Sequence, residues 1–313
     1  SLFDPELQGR FNRADISVCN LEGTLTRTQE PTLKLGPNIK ADPESLKLYK
    51  KIGISLLATA NNHVTDFCQQ GYLDTASVLE QYGIPYIGSG RNASEIKHYA
   101  SYELAGQRIC IYNVAETMFN IPTSESAGVH LYDEYLVCKE LEALKKSSDV
   151  LIVLYHGGVE YFPYPTPELK KRFHRMADSG ADVILAQHTH CIGCEERYNG
   201  SFLLYGQGNF LFDRPSPHEC VKTGLAIELV LEDGTFCVDK HMVSVHNGSL
   251  KYVSDPDFGP YDERSSHVDD DEFLICALKD FALTQKSVKT KQLRKVRFYD
   301  NTRRRSLPRK GWH

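Results

Sequence analysis

Four short polar clusters stand directly behind apolar, strand-like runs of this 313-residue chain. Asn20-Leu21-Glu22 follows Asp15 to Cys19, and Asn61-Asn62-His63 follows Ile54 to Ala60, with Asp66 three residues on. His156 closes Val150 to Tyr155, and His188-Thr189-His190 follows Val183 to Ala186. Open parallel sheets collect ligands at the carboxyl ends of their strands, so the four loops are expected to open on one sheet edge. Carboxylate, carboxamide and imidazole together suit Mn, Fe or Zn, and His-x-His at a strand end aims two imidazoles at a common centre. A lone histidine behind a strand is more often structural. Four such loops coinciding point to a divalent-metal site.

The elements that must hold these loops alternate in a β-α-β rhythm. Strand-like Asp15 to Asn20 and Ile54 to Ala58 flank an amphipathic stretch near Pro43 to Ile52; a helix from Gln69 to Tyr82 closes at Gly83. A strand over Tyr102 to Val114, a helix near Asp133 to Ser147, the strand Val150 to Tyr155, a helix from Pro167 to Gly180 and the strand Asp182 to Ala186 follow. Crossovers of this kind imply parallel pairing. Beyond Ala186 the pattern turns to short strands at Phe202 to Tyr205, Asn209 to Phe212, Leu225 to Leu231 and Phe236 to Val245, the last after an Asp233-Gly234 turn. A two-sheet α/β layered sandwich over residues 1–266 accommodates both halves, with a C-terminal helical and basic tail from 267 to 313.

Composition sets the class: 41% hydrophobic and 25% charged residues describe a globular protein, and no apolar run approaches the ~20 residues that span a bilayer. Nine cysteines, odd in number and mostly within apolar stretches, read as reduced thiols in a cytoplasmic setting. Cys191 and Cys194 lack a second ligand-spaced pair and are expected to pack the loop behind His190, with thiolate donation to a neighbouring metal the alternative. The net charge of −5 conceals an asymmetry, because Lys286 to Lys310 holds eleven Lys and Arg against Asp300 alone. Such runs are usually solvated surface, and Phe298, Tyr299 and Trp312 are too sparse for a stacking platform, so nucleic acid is not the expected partner.

The motifs Ala14-Asp15-Ile16 to Asn20-Leu21-Glu22-Gly23, Asn61-Asn62-His63-Val64-Thr65-Asp66, His156-Gly157-Gly158-Val159-Glu160, Gly180-Ala181-Asp182 to His188-Thr189-His190, and Gly208-Asn209-Phe210 recur in order. By these the chain resembles the CapA-type, poly-γ-glutamate capsule-biosynthesis proteins, over roughly residues 14–213. The resemblance implies a calcineurin-like metallophosphatase fold, an αββα sandwich. It implies that Glu22 is the bridging carboxylate, that Asn62, His156 and His188 complete one metal site and that His190 belongs to the other. His63 would be the general acid, Asp66 would orient it or raise its pKa, and Glu160 and Asn209 would face the same cavity as substrate-binding residues or serve structurally.

Relatives open with a strand ending in Gly-Asp whose Asp helps hold the second metal. This chain is expected to lack that strand, and Gln187 replaces a preferred Gly. One centre then keeps a full ligand set while the other keeps Glu22 and His190, giving one or two metals per chain. The chain is expected either to expose an unpaired strand edge there or to fill that slot with another segment, such as Leu2 to Leu7 or the tail. Two functions follow: a phosphoesterase-like hydrolase acting on a phosphoester or an anionic polymer, or a non-catalytic assembly component of polymer synthesis that retains a degraded site. Capsule-synthesis partners fit both, and envelope association is kept open should residues precede Ser1.

Overall fold

Side-chain alternation along the strand Val150–His156 sets the architecture, since all seven residues are buried. Leu151, Val153 and Tyr155 join a cluster with Val137, Leu141, Phe173 and Met176 from the helices Glu134–Lys145 and Pro167–Asp178. Val150, Ile152 and Leu154 join a different cluster with Leu56, Ala58, Ile87 and Leu225. With a side-chain period of two, the strand therefore has helices on one face and a second sheet on the other.

In this computed structural model residues 2–117, 120–212, 216–232 and 235–285 are described. The expected Asp233-Gly234 turn and the basic segment from Lys286 to Lys310 lie outside the described residues. The larger sheet runs Glu195–Tyr198, Ser201–Leu204, Val183–Gln187, Val150–His156, Gln107–Ala115, Tyr99–Leu104, with its four inner strands parallel and its two edges antiparallel. The facing layer combines a parallel trio, Val18–Asn20, Leu56–Ala58 and Tyr86–Ile87, with an antiparallel trio, Thr223–Glu232, Thr235–His246 and Ser249–Tyr252. On the outer side of this layer Leu57, Val243 and Leu250 pack against Leu7, Leu46 and Leu79 of the helices Pro5–Arg13, Leu46–Lys51 and Cys68–Tyr82. Helix, sheet, sheet and helix follow one another, an αββα sandwich.

Three elements depart from expectation. The single strand over Tyr102 to Val114 is a hairpin, because Ala105 and Gly106 take φ of 50° and 77°, the left-handed pair that a tight two-residue turn requires. Asn209 to Phe212 is not a strand. Gly208 turns through φ +68° to bridge Gly224, whose added Cβ would stand 2.1 Å from the Asn209 carbonyl oxygen, so the backbones touch too closely to continue a ladder. The third is the helix Pro5–Arg13, capped by the Asp4 carboxylate on the Glu6 amide at 3.0 Å with Pro5 in the first turn. Ahead of it, Leu2–Asp4 pairs with Leu250 on the outer edge of Ser249–Tyr252 (3.0 and 2.8 Å), whereas Val18–Asn20 is paired on one side only among the described residues. Residues 271–285 are helical, with Val268 and Leu274 buried. Among the described residues no helix is long and apolar enough to cross a membrane.

Candidate metal centre

Strand register brings the polar loops together. Asn20 pairs with Ala58, and His156 pairs with both Ala115 and Gln187, so the residues that follow emerge at the carboxyl ends of adjacent parallel strands. Asn61, wholly buried, joins two of the loops: its Nδ2 donates to the Leu21 carbonyl at 2.8 Å, and its Oδ1 accepts the His63 amide at 3.0 Å. Gly23, at φ +138° with the Ile39 side chain 3.0 Å from where a Cβ would be, lets the chain turn away immediately after Glu22. His188 and His190 take φ of 96° and 55°, a left-handed backbone that non-glycine residues rarely adopt. The His188 ring lies 5.0 Å from that of His156 between centroids, and His190 Nε2 lies 3.9 Å from Glu22 Oε1.

Glu22 stands in the middle. Its Oε1 lies 3.7 Å from His63 Nε2 and 3.9 Å from His190 Nε2, while Oε2 accepts from Asn20 Nδ2 at 3.3 Å. Each of Glu22, His156 and His188 offers one ligand atom within 4.8 Å of the other two. His156 Nε2 is 2.9 Å from Asn62 Oδ1, a separation that two ligand atoms of one ion can share. Asn209 Nδ2 donates to the Val221 carbonyl, so its Oδ1 accepts from His190 Nδ1 at 2.9 Å and leaves His190 Nε2 facing Glu22. His63 Nδ1 meets Asp66 Oδ2 at 2.7 Å. Glu160 is exposed, and close enough for its charge to act on His188.

Burial favours the neutral imidazole at His156 and His188. Burial, followed by the neighbouring His188, His63 and His190 rings, holds the His156 pKa well below 6.5. Burial likewise pushes His188 down to about 4, against the opposing pull of Glu160. Neutral imidazoles and a carboxylate are metal ligands in their binding-ready form. Glu22 Oε1, His156 Nδ1 and His188 Nδ1 are all buried without a hydrogen-bond partner. A buried polar atom without a partner costs about 1–3 kcal/mol, and ligand atoms of Glu22, His156 and His188 within 4.8 Å of one another are spaced for a divalent cation to bridge. The donor set fits such an ion.

Several supporting residues carried no sequence signal strong enough to single them out. Lys34, from the loop between Leu25 and Lys40, is buried against Asp66, with Nζ 3.2 Å from His63 Nδ1 and 3.4 Å from the Asn62 carbonyl oxygen. Asn113 interrupts the apolar run Ile109 to Ala115, a signal available in the sequence. Its Oδ1 accepts the Ala60 amide at 2.8 Å and its Nδ2 donates to the Leu154 carbonyl at 3.0 Å, stapling the His63 loop to the His156 strand. Glu116 Oε2 accepts the Gly158 amide at 3.0 Å and so fixes the turn after His156. Tyr161 stacks at 4.0 Å on His218 and at 5.8 Å on His190, forming an aromatic rim. Cys191 and Cys194 are buried, Cys194 in the outer core cluster.

Comparison with known proteins agrees with the resemblance read from the motifs. CapA from Bacillus anthracis, a capsule biosynthesis protein, is 27% identical over 224 residues, covering 69% of this chain and 54% of that protein. The PGA biosynthesis protein CapA of Bacillus subtilis is 29% identical over 180 residues (56% of this chain, 47% of that protein). A probable polyglutamine synthesis accessory protein of Mycobacterium tuberculosis is 27% identical over 212 residues (64% and 56%). The chain thus spans about half the length of the curated relatives it matches. Among solved structures, a hypothetical protein from Thermus thermophilus matches with a TM-score of 0.48 at 17% identity, covering 77% of this chain and 95% of that one. A phosphatase from Mycoplasma pneumoniae matches at 0.44 and 16%, covering 80% and 89%. The family model for the bacterial capsule synthesis protein PGA_cap matches residues 3–214, and the chain that carries this Glu22-centred cluster belongs to that family.

Proposed function

We propose that the protein is a metal-dependent, phosphoesterase-like hydrolase working in the synthesis of a capsule or another extracellular anionic polymer. The chemistry is carried by one observation: Glu22, His156 and His188 each bring a ligand atom within 4.8 Å of the other two, beside His63 and His190, whose Nε2 atoms face the same carboxylate. The polymer context is extended from the names of the Bacillus and Mycobacterium relatives. In this reading Glu22, Asn62, His156 and His188 hold one divalent ion (Mn, Fe or Zn), and His190 with Glu22 serves a second.

Divalent ions bound there supply charge neutralisation for a phosphoryl group and acidify water. His63 presents Nε2 toward the Glu22 side while Asp66 holds its Nδ1, the arrangement of a general acid that hands a proton to the leaving oxygen. Lys34 on Asp66 fixes the carboxylate so that a single imidazole orientation survives. Asn209 holds the His190 ring, and the exposed Glu160 beside the Tyr161 rim is positioned to meet a substrate's polar groups.

Turnover of p-nitrophenyl phosphate and bis(p-nitrophenyl) phosphate by the full chain, with Mn²⁺, Fe²⁺ or Zn²⁺ added in turn, tests the reading. Metal-dependent turnover that disappears in a folded Glu22→Gln variant is expected. Turnover indifferent to added metal or to Glu22→Gln overturns the hydrolase. A fully loaded centre that turns over neither ester transfers the chain to the non-catalytic assembly role.

A further inference from the structure

Cys191 follows His190 directly, and its nearest cysteine in sequence is Cys194, three positions on. In the fold these two have different surroundings. Cys194 is fully buried in the outer core with Phe173, Leu203 and Tyr205. The Cys191 thiol is instead hydrogen-bonded to that of Cys220, on the short turn Glu219–Lys222.

Contacts on either side of this pair hold the two segments together. Asn209 joins the residue before Cys191 to the residue after Cys220, since its Oδ1 accepts from His190 Nδ1 at 2.9 Å and its Nδ2 donates to the Val221 carbonyl at 2.9 Å. Tyr161 makes the second join. Its ring stacks on His218 with centroids 4.0 Å apart, and its amide donates to the Thr189 carbonyl at 2.7 Å. Cys191 is itself anchored, because its carbonyl accepts from Thr189 Oγ1 at 3.1 Å and the Gly193 amide donates to the Gly206 carbonyl at 2.9 Å. Cys191 is buried, whereas Cys220 is half-buried. Among the described residues no cysteine joins a group whose ligand atoms all lie within 4.8 Å of one another, so neither thiol is placed to ligate an ion with the Glu22 cluster.

Two thiols in contact, one reachable from solvent and one behind it, suit thiol–disulfide exchange. We propose that Cys191 and Cys220 are a redox pair, closed to a disulfide by a low-molecular-weight disulfide, RSSR, such as oxidised glutathione. The Cys220 sulfur, having given up its proton, attacks one sulfur of RSSR, forms a mixed disulfide and releases RS⁻. The Cys191 sulfur then attacks the Cys220 sulfur, loses its own proton and releases the second RS⁻. Both cysteines are oxidised, RSSR is reduced to two RSH, and the two protons leave with them. An S–S bond is ~2.05 Å long, far shorter than a thiol hydrogen bond, so closure draws the Glu219–Lys222 turn toward the anchored Cys191. The Val221 carbonyl moves with the turn, and through Asn209 so does the His190 ring. On the hydrolase reading, and resting on it, turnover falls on oxidation and returns on reduction.

The full chain, folded, is incubated with oxidised glutathione, then unfolded with iodoacetamide and mapped by mass spectrometry of unreduced peptides. A cross-link joining Cys191 to Cys220, undone by dithiothreitol, is the expected result in the parent. In Cys220→Ser the buried Cys191 is expected to remain a thiol, and in Cys191→Ser the oxidation of Cys220 is expected to stop at the mixed disulfide. The exposed Cys68, Cys237 and Cys276 report that the oxidant has acted. Cys191 and Cys220 both alkylated while those three carry glutathione overturns the pair, as does a bond from Cys191 to Cys194. Turnover of bis(p-nitrophenyl) phosphate is expected to fall on oxidation of the parent and to hold in Cys220→Ser. An equal response in both overturns control of the centre, whereas a parent without turnover in either state contradicts the hydrolase and leaves the mapped bond standing.

Discussion

His63 has one nitrogen committed to Asp66 at 2.7 Å and the other facing Glu22 at 3.7 Å, closer to proton-transfer duty than to tight ligation. His63→Asn is therefore expected to lower turnover by ~10²–10⁴ while metal content stays near the parent value, measured by phosphoester kinetics alongside elemental analysis. Parallel loss of metal and activity would make His63 a ligand. Asn61 acts differently, since its wholly buried carboxamide joins the Leu21 carbonyl to the His63 amide. Asn61→Ala is expected to cost about 1–3 kcal/mol in denaturant unfolding, because it strands buried backbone groups, and to reduce turnover with it. At this scale the sequence is informative where a side chain sits immediately behind a strand, as Glu22, His156 and His188 do. It is silent on Lys34, which reaches Asp66 from a loop whose course is set by tertiary packing.

Among the elements, aspartates at the starting ends of strands fix the register that aligns the carboxyl ends. Asp149 accepts the Arg108 amide at 2.8 Å and its guanidinium at 2.9 and 3.2 Å, and Asp182 accepts the Leu151 amide at 2.7 Å. The Arg108 hydrogen bonds hold the Asp149 pKa at about 2, below its ordinary 3.8. A carboxylate with a depressed folded-state pKa contributes stability that is complete above the unfolded value and is lost as pH falls through the folded one. Asp149→Asn should accordingly lower the thermal midpoint at pH 7, with the difference from the parent shrinking between pH ~4 and ~2 and vanishing below, as calorimetry would register. Phe173, fully buried between helix and sheet, anchors the outer core, and Phe173→Ala is expected to cost about 3–5 kcal/mol. Helices were readable to within a residue or two where Thr166 and Pro167 open one and Gly83 closes another. The hairpin at Ala105-Gly106 was not, because one of its two left-handed residues is an alanine. The helix Pro5–Arg13 left its signal in Asp4-Pro5, a cap that apolar periodicity alone does not reveal.

For the whole molecule, the two facing sheets put the Glu22 and His63 loops of one layer against the His156 and His188 loops of the other, so the metal-capable cluster exists only when both layers are packed. Removal of divalent metal by a chelator is expected to lower the thermal midpoint of the parent, because an ion bridging Glu22, His156 and His188 stabilises the folded state alone. The most direct measurement is anomalous scattering from crystals of the full chain grown with Mn²⁺. The account predicts a strong peak among Glu22, Asn62, His156 and His188, within about 2.0–2.3 Å of their ligand atoms. A well-ordered crystal at saturating Mn²⁺ with no peak there, or with the manganese held only elsewhere on the surface, would contradict it.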